Sequence, residues 1–131
     1  MNRAASKSRI IRFYSEKNQC MVSVRSPLAR DYAKWLEDQS WVERYETGHE
    51  LDAGRLASVC PVDIRSSYFQ TEWLTDFLIF CADGRKAVRE VADLQRLQKR
   101  AEIEKLELSR RYWTGLDIDD WRIVVEEGVE K

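Results

Sequence analysis

The fold depends on the stretch Thr75–Val91, which reads TDFLIFCADGRKAVREV. Apolar and β-branched flanks surround an Asp83-Gly84 pair, which suits the turn of a β-hairpin. If the loop holds three or five residues centred on Asp83, then Asp76 and Glu90 fall directly opposite each other. Their Cβ atoms would then be about 4.5–5.5 Å apart. A two-residue loop would instead put the two acids on opposite faces of the hairpin.

Two carboxylates at that separation repel each other unless a cation lies between them. Hard divalent cations prefer oxygen ligands, so the predicted pairing makes Asp76 and Glu90 a candidate metal site. The alternative is an ordinary edge hairpin that carries two solvated acids. The hairpin alone leaves both interpretations open.

The composition is typical of one globular domain. The chain has 131 residues, of which 44% are hydrophobic and 11% aromatic, enough for a sizeable core. The net charge of −1 hides a gradient, because residues 1–17 are mainly basic and residues 117–131 mainly acidic. A basic segment can follow a phosphate backbone, but many ordinary termini have the same composition.

The cysteines and the histidine exclude several classes of site. Cys20, Cys60 and Cys81 are odd in number and scattered, which favours free thiols in a reducing compartment. With no membrane-length apolar run and no signal-peptide core, we expect a cytoplasmic protein without membrane contact. Because His49 is the only histidine, a zinc site with two histidines is excluded and a Ser-His-Asp arrangement is not expected.

The pattern along the chain predicts three segments. Residues 1–25 are expected to form an irregular basic arm, 26–127 the folded domain and 128–131 a tail. Within the domain, Ser26-Pro27 has the form of a helix start, and apolar residues at helical spacing extend that helix to residue 37. The remaining elements are predicted as strands at 41–45, 55–64, 68–80, 86–92 and 121–125, with a second helix at 94–113.

This order places strands before a helix that returns one more strand to the sheet. We therefore predict an α/β (α+β) layer built on a mixed sheet flanked by helices. The helix at 94–113 carries two apolar stripes, which suggest packing against two partners. The second stripe contacts the first helix or another subunit, giving a homodimer, or it merely covers the rim of the core. The two stripes are Leu94, Leu97, Ala101, Leu108 and Tyr112, and Ile103, Leu106 and Trp113.

Several short motifs, in order, resemble those of the TnsA-type heteromeric transposase endonucleases. Residues 26–32, SPLARDY, are similar to the family's "SLLERDY" helix start. Residues 44–46, RYE, are similar to its "SYEEQP" strand. Residues 75–78, TDFL, are similar to "TPDFLV", and residues 89–91, REV, to the "EVK" strand. The resemblance covers most of residues 8–126.

The resemblance implies a restriction-endonuclease-like fold with four catalytic positions around magnesium. Asp76 matches the metal-binding aspartate, and Glu90 matches the acidic or amide position of the last catalytic strand. The glutamate of the first helix falls on Ala29 and the lysine falls on Ala92, so two of the four functional side chains are replaced. The expected metal ligands are therefore Asp76 and Glu90 alone, with Mg²⁺ or Mn²⁺ as the cofactor.

The function implied is cleavage of the 5′ strands at transposon ends. The implied partners are transposon-end DNA, a TnsB-like transposase and a TnsC-like ATPase. Loss of the lysine removes a charge that steadies the nucleophilic water, so we expect impaired or absent catalysis; the sequence does not distinguish natural from introduced alanines. The alternative is a non-catalytic DNA- or protein-binding module, homodimeric or not, on the same fold.

Overall fold

The computed structural model describes residues 10–65, 67–68, 74–116, 118, 120–125 and 129–130. Within these residues the strands and helices alternate irregularly along the chain. The strands are β1 (Ile11–Ser15), β2 (Cys20–Val24), β3 (Val42–Glu50), β4 (Leu74–Cys81), β5 (Lys86–Val91), β6 (Asp120–Val125) and β7 (Val129–Glu130). The helices are α1 (Pro27–Glu37), α2 (Ala53–Leu56) and α3 (Arg100–Thr114), with a 3-10 turn at Arg96–Gln98 before α3.

The main sheet is mixed and has the order β3-β4-β5-β6-β7. β5 and β6 are parallel, whereas the other neighbouring strands are antiparallel. Parallel neighbours need a long crossover connection, and α3 lies within the connection between β5 and β6. The prediction of a mixed sheet with helices, to which one strand returns after a helix, is confirmed at this coarse level.

Each face of the main sheet is covered by a different helix. On β4, Phe77 and Ile79 pack with α1 residues, whereas Leu78, which lies between them, packs with α3 residues. This alternation follows from the two-residue period of a strand. The β4–β5 hairpin is therefore buried on both faces, and any polar side chain on it needs an internal partner.

The N-terminal residues form a hairpin, so the prediction of irregular backbone is wrong for residues 10–25. β1 and β2 are antiparallel, with Phe13 opposite Val22. Their turn has no glycine, and Gln19 takes the positive φ of 57°. The Asn18 side chain donates to the Tyr45 carbonyl (2.7 Å) and accepts from the Tyr45 amide (3.0 Å), which ties the hairpin to β3. Residues 1–9 lie outside the described residues.

Helix α1 begins where the sequence predicts. The Ser26 hydroxyl accepts a hydrogen bond from the Ala29 amide (3.0 Å), and Pro27 occupies the first helical position. Tyr32 and Leu36 are fully buried against the sheet. The predicted helix at 26–37 is confirmed.

Three other predicted elements need correction. Residues 55–64 are not a strand, because Asp52 caps the short helix α2 and turns follow it. Strand β4 begins at Leu74, since residues 67–68 form a helical turn; residues 69–73 lie outside the described residues. Helix α3 begins at Arg100 rather than 94, because Lys99 has extended backbone angles.

The second stripe of α3 is largely used inside the chain. Leu106 and Trp113 are buried, whereas Ile103 is 52% exposed. The stripe therefore offers one exposed apolar residue for another subunit, and a homodimer through this face stays a prediction. A charge at Leu106 would perturb the fold of the chain as well as any interface.

None of the described helices is long and apolar enough to cross a membrane.

Candidate functional site

The β4–β5 hairpin has the register that places the two predicted acids together. Phe77 pairs with Arg89 and Phe80 with Lys86, so the loop holds the five residues from Cys81 to Arg85. The loop is therefore centred on Asp83. The ladder ends at Phe77 and Arg89, and the same register continued by one residue places Asp76 opposite Glu90. The five-residue alternative predicted from the sequence is confirmed, and the two-residue alternative is wrong.

Local chemistry explains this loop. Gly84 has a φ of 93°, which side chains rarely tolerate. The Asp83 carboxylate accepts a hydrogen bond from the Arg85 amide (3.0 Å), as expected for an Asp that stabilises its own turn. The Cys81 amide donates to the Arg85 carbonyl (2.8 Å) and closes the loop. The Asp-Gly pair thus sets the register that brings the acids together.

Each of the two acids is held by a backbone amide of the partner strand. The Asp76 amide donates to Glu90 Oε1 (3.0 Å), and the Val91 amide donates to Asp76 Oδ2 (2.7 Å). Each acid therefore accepts from the backbone of the partner strand, which fixes both side chains.

Further hydrogen-bond donors reach Glu90 from α3 and from β4. The Ser109 hydroxyl on α3 donates to Glu90 Oε2 (2.5 Å), while its oxygen accepts from Trp121 Nε1 (3.0 Å). Thr75 also hydrogen-bonds Glu90, and its oxygen accepts from Trp113 Nε1 (2.8 Å). These donors occupy lone pairs that a metal ion would otherwise use.

Burial and mutual repulsion raise the pKa of Glu90 to about 8. Burial also raises the pKa of Asp76, although the Val91 amide, Glu90 and the more distant Arg96 guanidinium oppose this rise. At neutral pH the raised pKa favours the protonated form of Glu90, which is 6% exposed.

The two alanines at the other expected catalytic positions are both buried. Ala29 on α1 is 3% exposed and lines a cavity of about 530 Å³ that Asp76 also lines. Ala92 directly follows β5 and is 1% exposed, and its amide donates to the Val124 carbonyl (3.0 Å). Ala29 therefore shares a cavity with Asp76, whereas Glu90 and Ala92 are not among the residues that line it.

The described residues do not provide a ready magnesium site. Among them, no group of three or more His, Cys, Asp or Glu side chains is placed to hold a metal ion. The raised pKa of Glu90 favours its protonated form at neutral pH, and its oxygens already accept hydrogen bonds. A divalent cation would have to displace that proton and some of these donors, so Mg²⁺ or Mn²⁺ binding at Asp76 and Glu90 stays a prediction.

Sequence reasoning missed the residues that satisfy Glu90. Ser109 is nineteen positions away in sequence, and a single serine in an amphipathic helix gives no signal of its partner. Glu37, at the end of α1, does not join the acid pair; it accepts from Ser15 (2.5 Å) and Tyr45 (2.6 Å). A second polar cluster thus exists that no motif indicated.

Comparison with known proteins does not identify a family. No family model matches the sequence, and no curated protein matches it significantly. The resemblance to TnsA-type endonucleases therefore rests on the sequence motifs alone.

Proposed function

We propose that this chain is a TnsA-like DNA endonuclease subunit of a transposition machinery, on a restriction-endonuclease-like fold, with impaired catalysis. One observation carries the proposal. Asp76 and Glu90 lie side by side across β4 and β5, and Asp76 shares a cavity with Ala29 of the first long helix. These are the positions at which the family resemblance expects the catalytic groups.

Impairment follows from the chemistry of the four positions. Ala29 supplies no ligand atom to the cavity beside Asp76, and Ala92, which does not line that cavity, supplies no cation. The charge that would steady an attacking water is therefore missing. Glu90 keeps its proton at neutral pH, which removes a negative ligand. The proposed partners are transposon-end DNA, a TnsB-like transposase and a TnsC-like ATPase, in the cytoplasm.

The test restores the missing groups. Nicking of transposon-end DNA with Mg²⁺ or Mn²⁺ and the cognate TnsB-like transposase is measured for the wild-type chain and for the Ala29→Glu/Ala92→Lys variant. We expect little cutting by the wild type and at least about tenfold more by the variant, since a restored charge acts on the reacting phosphate. Asp76→Ala in the variant background should abolish the gain.

Because Ala92 is almost fully buried, a lysine there can disturb folding. Ala29→Glu alone is therefore the second variant, since position 29 borders the cavity, and Mn²⁺ binding by calorimetry is its readout. Cutting that survives Asp76→Ala would contradict the proposal. So would a folded Ala29→Glu variant that neither binds Mn²⁺ more tightly than the wild type nor cuts DNA.

A second candidate is a non-catalytic DNA- or protein-binding module on the same fold. It is favoured by the acid pair itself, whose oxygens are occupied by internal donors. This candidate predicts DNA binding that is independent of divalent metal and unchanged by Asp76→Asn. Binding that requires Mg²⁺ and is lost in that variant would exclude it in favour of the first.

A further inference from the structure

The β1–β2 hairpin has one buried face and one open face. Val22 and Val24 point into the core, whereas the alternate residues point outward. On the open face Tyr14 pairs with Met21, and these side chains are 54% and 60% exposed. Arg12 pairs with Ser23 on the same face. An exposed apolar pair beside a cation is unusual on a surface that contacts only water.

The arginines of the hairpin segment differ from most other arginines of the chain in their ion pairing. Arg44, Arg96 and Arg110 are ion-paired with neighbouring glutamates. Arg12 and Arg25, by contrast, make no ion pair with any residue that the structure describes. Residues 10–25 carry Arg12, Lys17 and Arg25 against Glu16. The hairpin is therefore a local excess of positive charge on a chain whose net charge is −1.

The hairpin also borders the acid pair. The cavity of about 530 Å³ is lined by Met21, Ser23 and Arg25 of the hairpin segment, and also by Ala29, Glu46 and Asp76. A ligand held on the open face would thus pass the mouth of the cavity that contains Asp76. This continuity links the positive surface to the candidate site.

We infer that the open face of the β1–β2 hairpin is a binding surface for duplex DNA, which it holds through the phosphate backbone across the Asp76 cavity. The inference rests on the proposed function and names the substrate-holding surface of that site. Duplex DNA carries one charge per roughly 1.7 Å of axis, so unpaired arginines gain by releasing its counterions. A two-stranded ribbon also matches the width of the major groove. Tyr14 and Met21 supply apolar contact to the sugars.

The test compares two double variants that remove the same charge. Arg12→Gln/Arg25→Gln alters the hairpin, and Lys34→Gln/Arg55→Gln removes two exposed cations elsewhere. Binding of fluorescein-labelled duplex DNA is followed by anisotropy over a salt series, without divalent metal. We expect the hairpin variant to bind on the order of 10- to 100-fold more weakly near 0.1 M salt, with a salt slope lower by about 2. The control should keep most of the wild-type affinity and slope.

The outcomes separate this inference from the proposed function. Equal weakening of the two variants, or unchanged binding by the hairpin variant, would overturn the DNA-binding face while leaving a DNA-acting protein. Wild-type protein that binds no duplex even at low salt would overturn both. Retention of anionic phosphatidylserine vesicles that is lost in the hairpin variant, without DNA binding, would replace DNA by a lipid surface. A matching circular-dichroism spectrum and Tm show that each variant is folded.

Discussion

Glu37 and Glu90 are the same residue type with nearly the same hydrogen-bond partners, yet the chain treats them in opposite ways. Glu37 accepts from the Ser15 hydroxyl (2.5 Å), the Tyr45 hydroxyl (2.6 Å) and the Lys17 amide (3.2 Å). Glu90 accepts from the Ser109 hydroxyl (2.5 Å), the Asp76 amide (3.0 Å) and Thr75. Each therefore has a short serine hydrogen bond, a second hydroxyl and a backbone amide.

The difference arises from burial and from the next charge. Burial works against ionisation of Glu37, but its hydrogen bonds and the Lys17 ammonium outweigh this effect and lower its pKa. For Glu90, stronger burial and the Asp76 carboxylate raise the pKa to about 8. Three hydrogen bonds thus do not decide whether a carboxyl group is charged; the sign of its neighbour and its access to water do.

The largest expected effect is the dependence of stability on pH. The folded pKa of Glu90 lies above the unfolded value of about 4.3, so its stabilising contribution is complete below pH 4 and is lost as the pH rises towards 8. The free energy of unfolding should fall by roughly 2–4 kcal/mol over this range. Glu37 has a lowered pKa, so its contribution is instead lost below about pH 4. Urea unfolding at several pH values measures both the loss of stability at high pH and the loss at low pH.

The control for that prediction is Glu90→Gln, which cannot titrate. The free energy of unfolding of this variant should show little of the decline that the wild type shows between pH 5 and about 8. An identical decline in the variant would mean that Glu90 is ionised in the folded protein and that the contrast with Glu37 is wrong.

The next effect compares the two glutamine variants at pH 7. Glu37→Gln removes a charge that receives two hydroxyl hydrogen bonds, and we expect it to cost about 2 kcal/mol. Glu90→Gln replaces a protonated carboxyl group by a neutral amide of the same shape, and we expect a change within about 1 kcal/mol. Urea unfolding gives both values, and equal costs would remove the distinction between the two clusters.

Replacing the serine that donates to each glutamate tests the same difference between Glu37 and Glu90. Ser15→Ala removes a donor to an ionised carboxylate, whereas Ser109→Ala removes a donor to a protonated one. Because hydrogen bonds to charged groups are stronger, Ser15→Ala should be the more destabilising by about 1 kcal/mol. Ser109→Ala should also raise the pKa of Glu90 further, since that hydrogen bond lowers it. Carboxyl carbon NMR follows the titration, and a lower pKa would contradict the assignment.

The smallest effect comes from Lys17, whose ammonium acts on Glu37 and also donates to the Val42 carbonyl (2.7 Å). Lys17→Met should raise the pKa of Glu37 and cost about 0.5 kcal/mol. The effect should shrink in high salt. Lys34→Met on the exposed side of α1 is the matched control, and a loss as large as that of Lys17→Met would show that the charge acts generally rather than on Glu37.

The sequence predicted the parts of the fold that local chemistry determines. Asp83-Gly84 predicted the turn but left the loop length open, and the five-residue loop of the structure decides that Asp76 lies opposite Glu90. Ser26-Pro27 specified the start of α1 in the same way. The β1–β2 hairpin was missed because Gln19 takes a positive φ without the glycine that normally announces such a turn.

The partners of the site could not be predicted from the sequence. Ser109 reaches Glu90 through packing of α3 on the sheet and accepts from Trp121, while Thr75 reaches Glu90 from β4. No local pattern encodes those contacts. The protonation of Glu90 depends on this packing, because its burial has the largest effect on the pKa. Sequence reasoning found the pair of acids but not the internal donors that surround Glu90, and a metal between the two acids stays a prediction.

The Asn18 side-chain amide hydrogen-bonds both the N–H and the carbonyl of Tyr45 on the outer side of β3, as the backbone of a neighbouring strand would. β3 is the border strand of its sheet, and such borders invite strands from other molecules to add to them. A chain shortened to begin after residue 24 would uncover this border and should self-associate as its concentration rises. By covering this edge strand, the N-terminal hairpin protects the chain against aggregation.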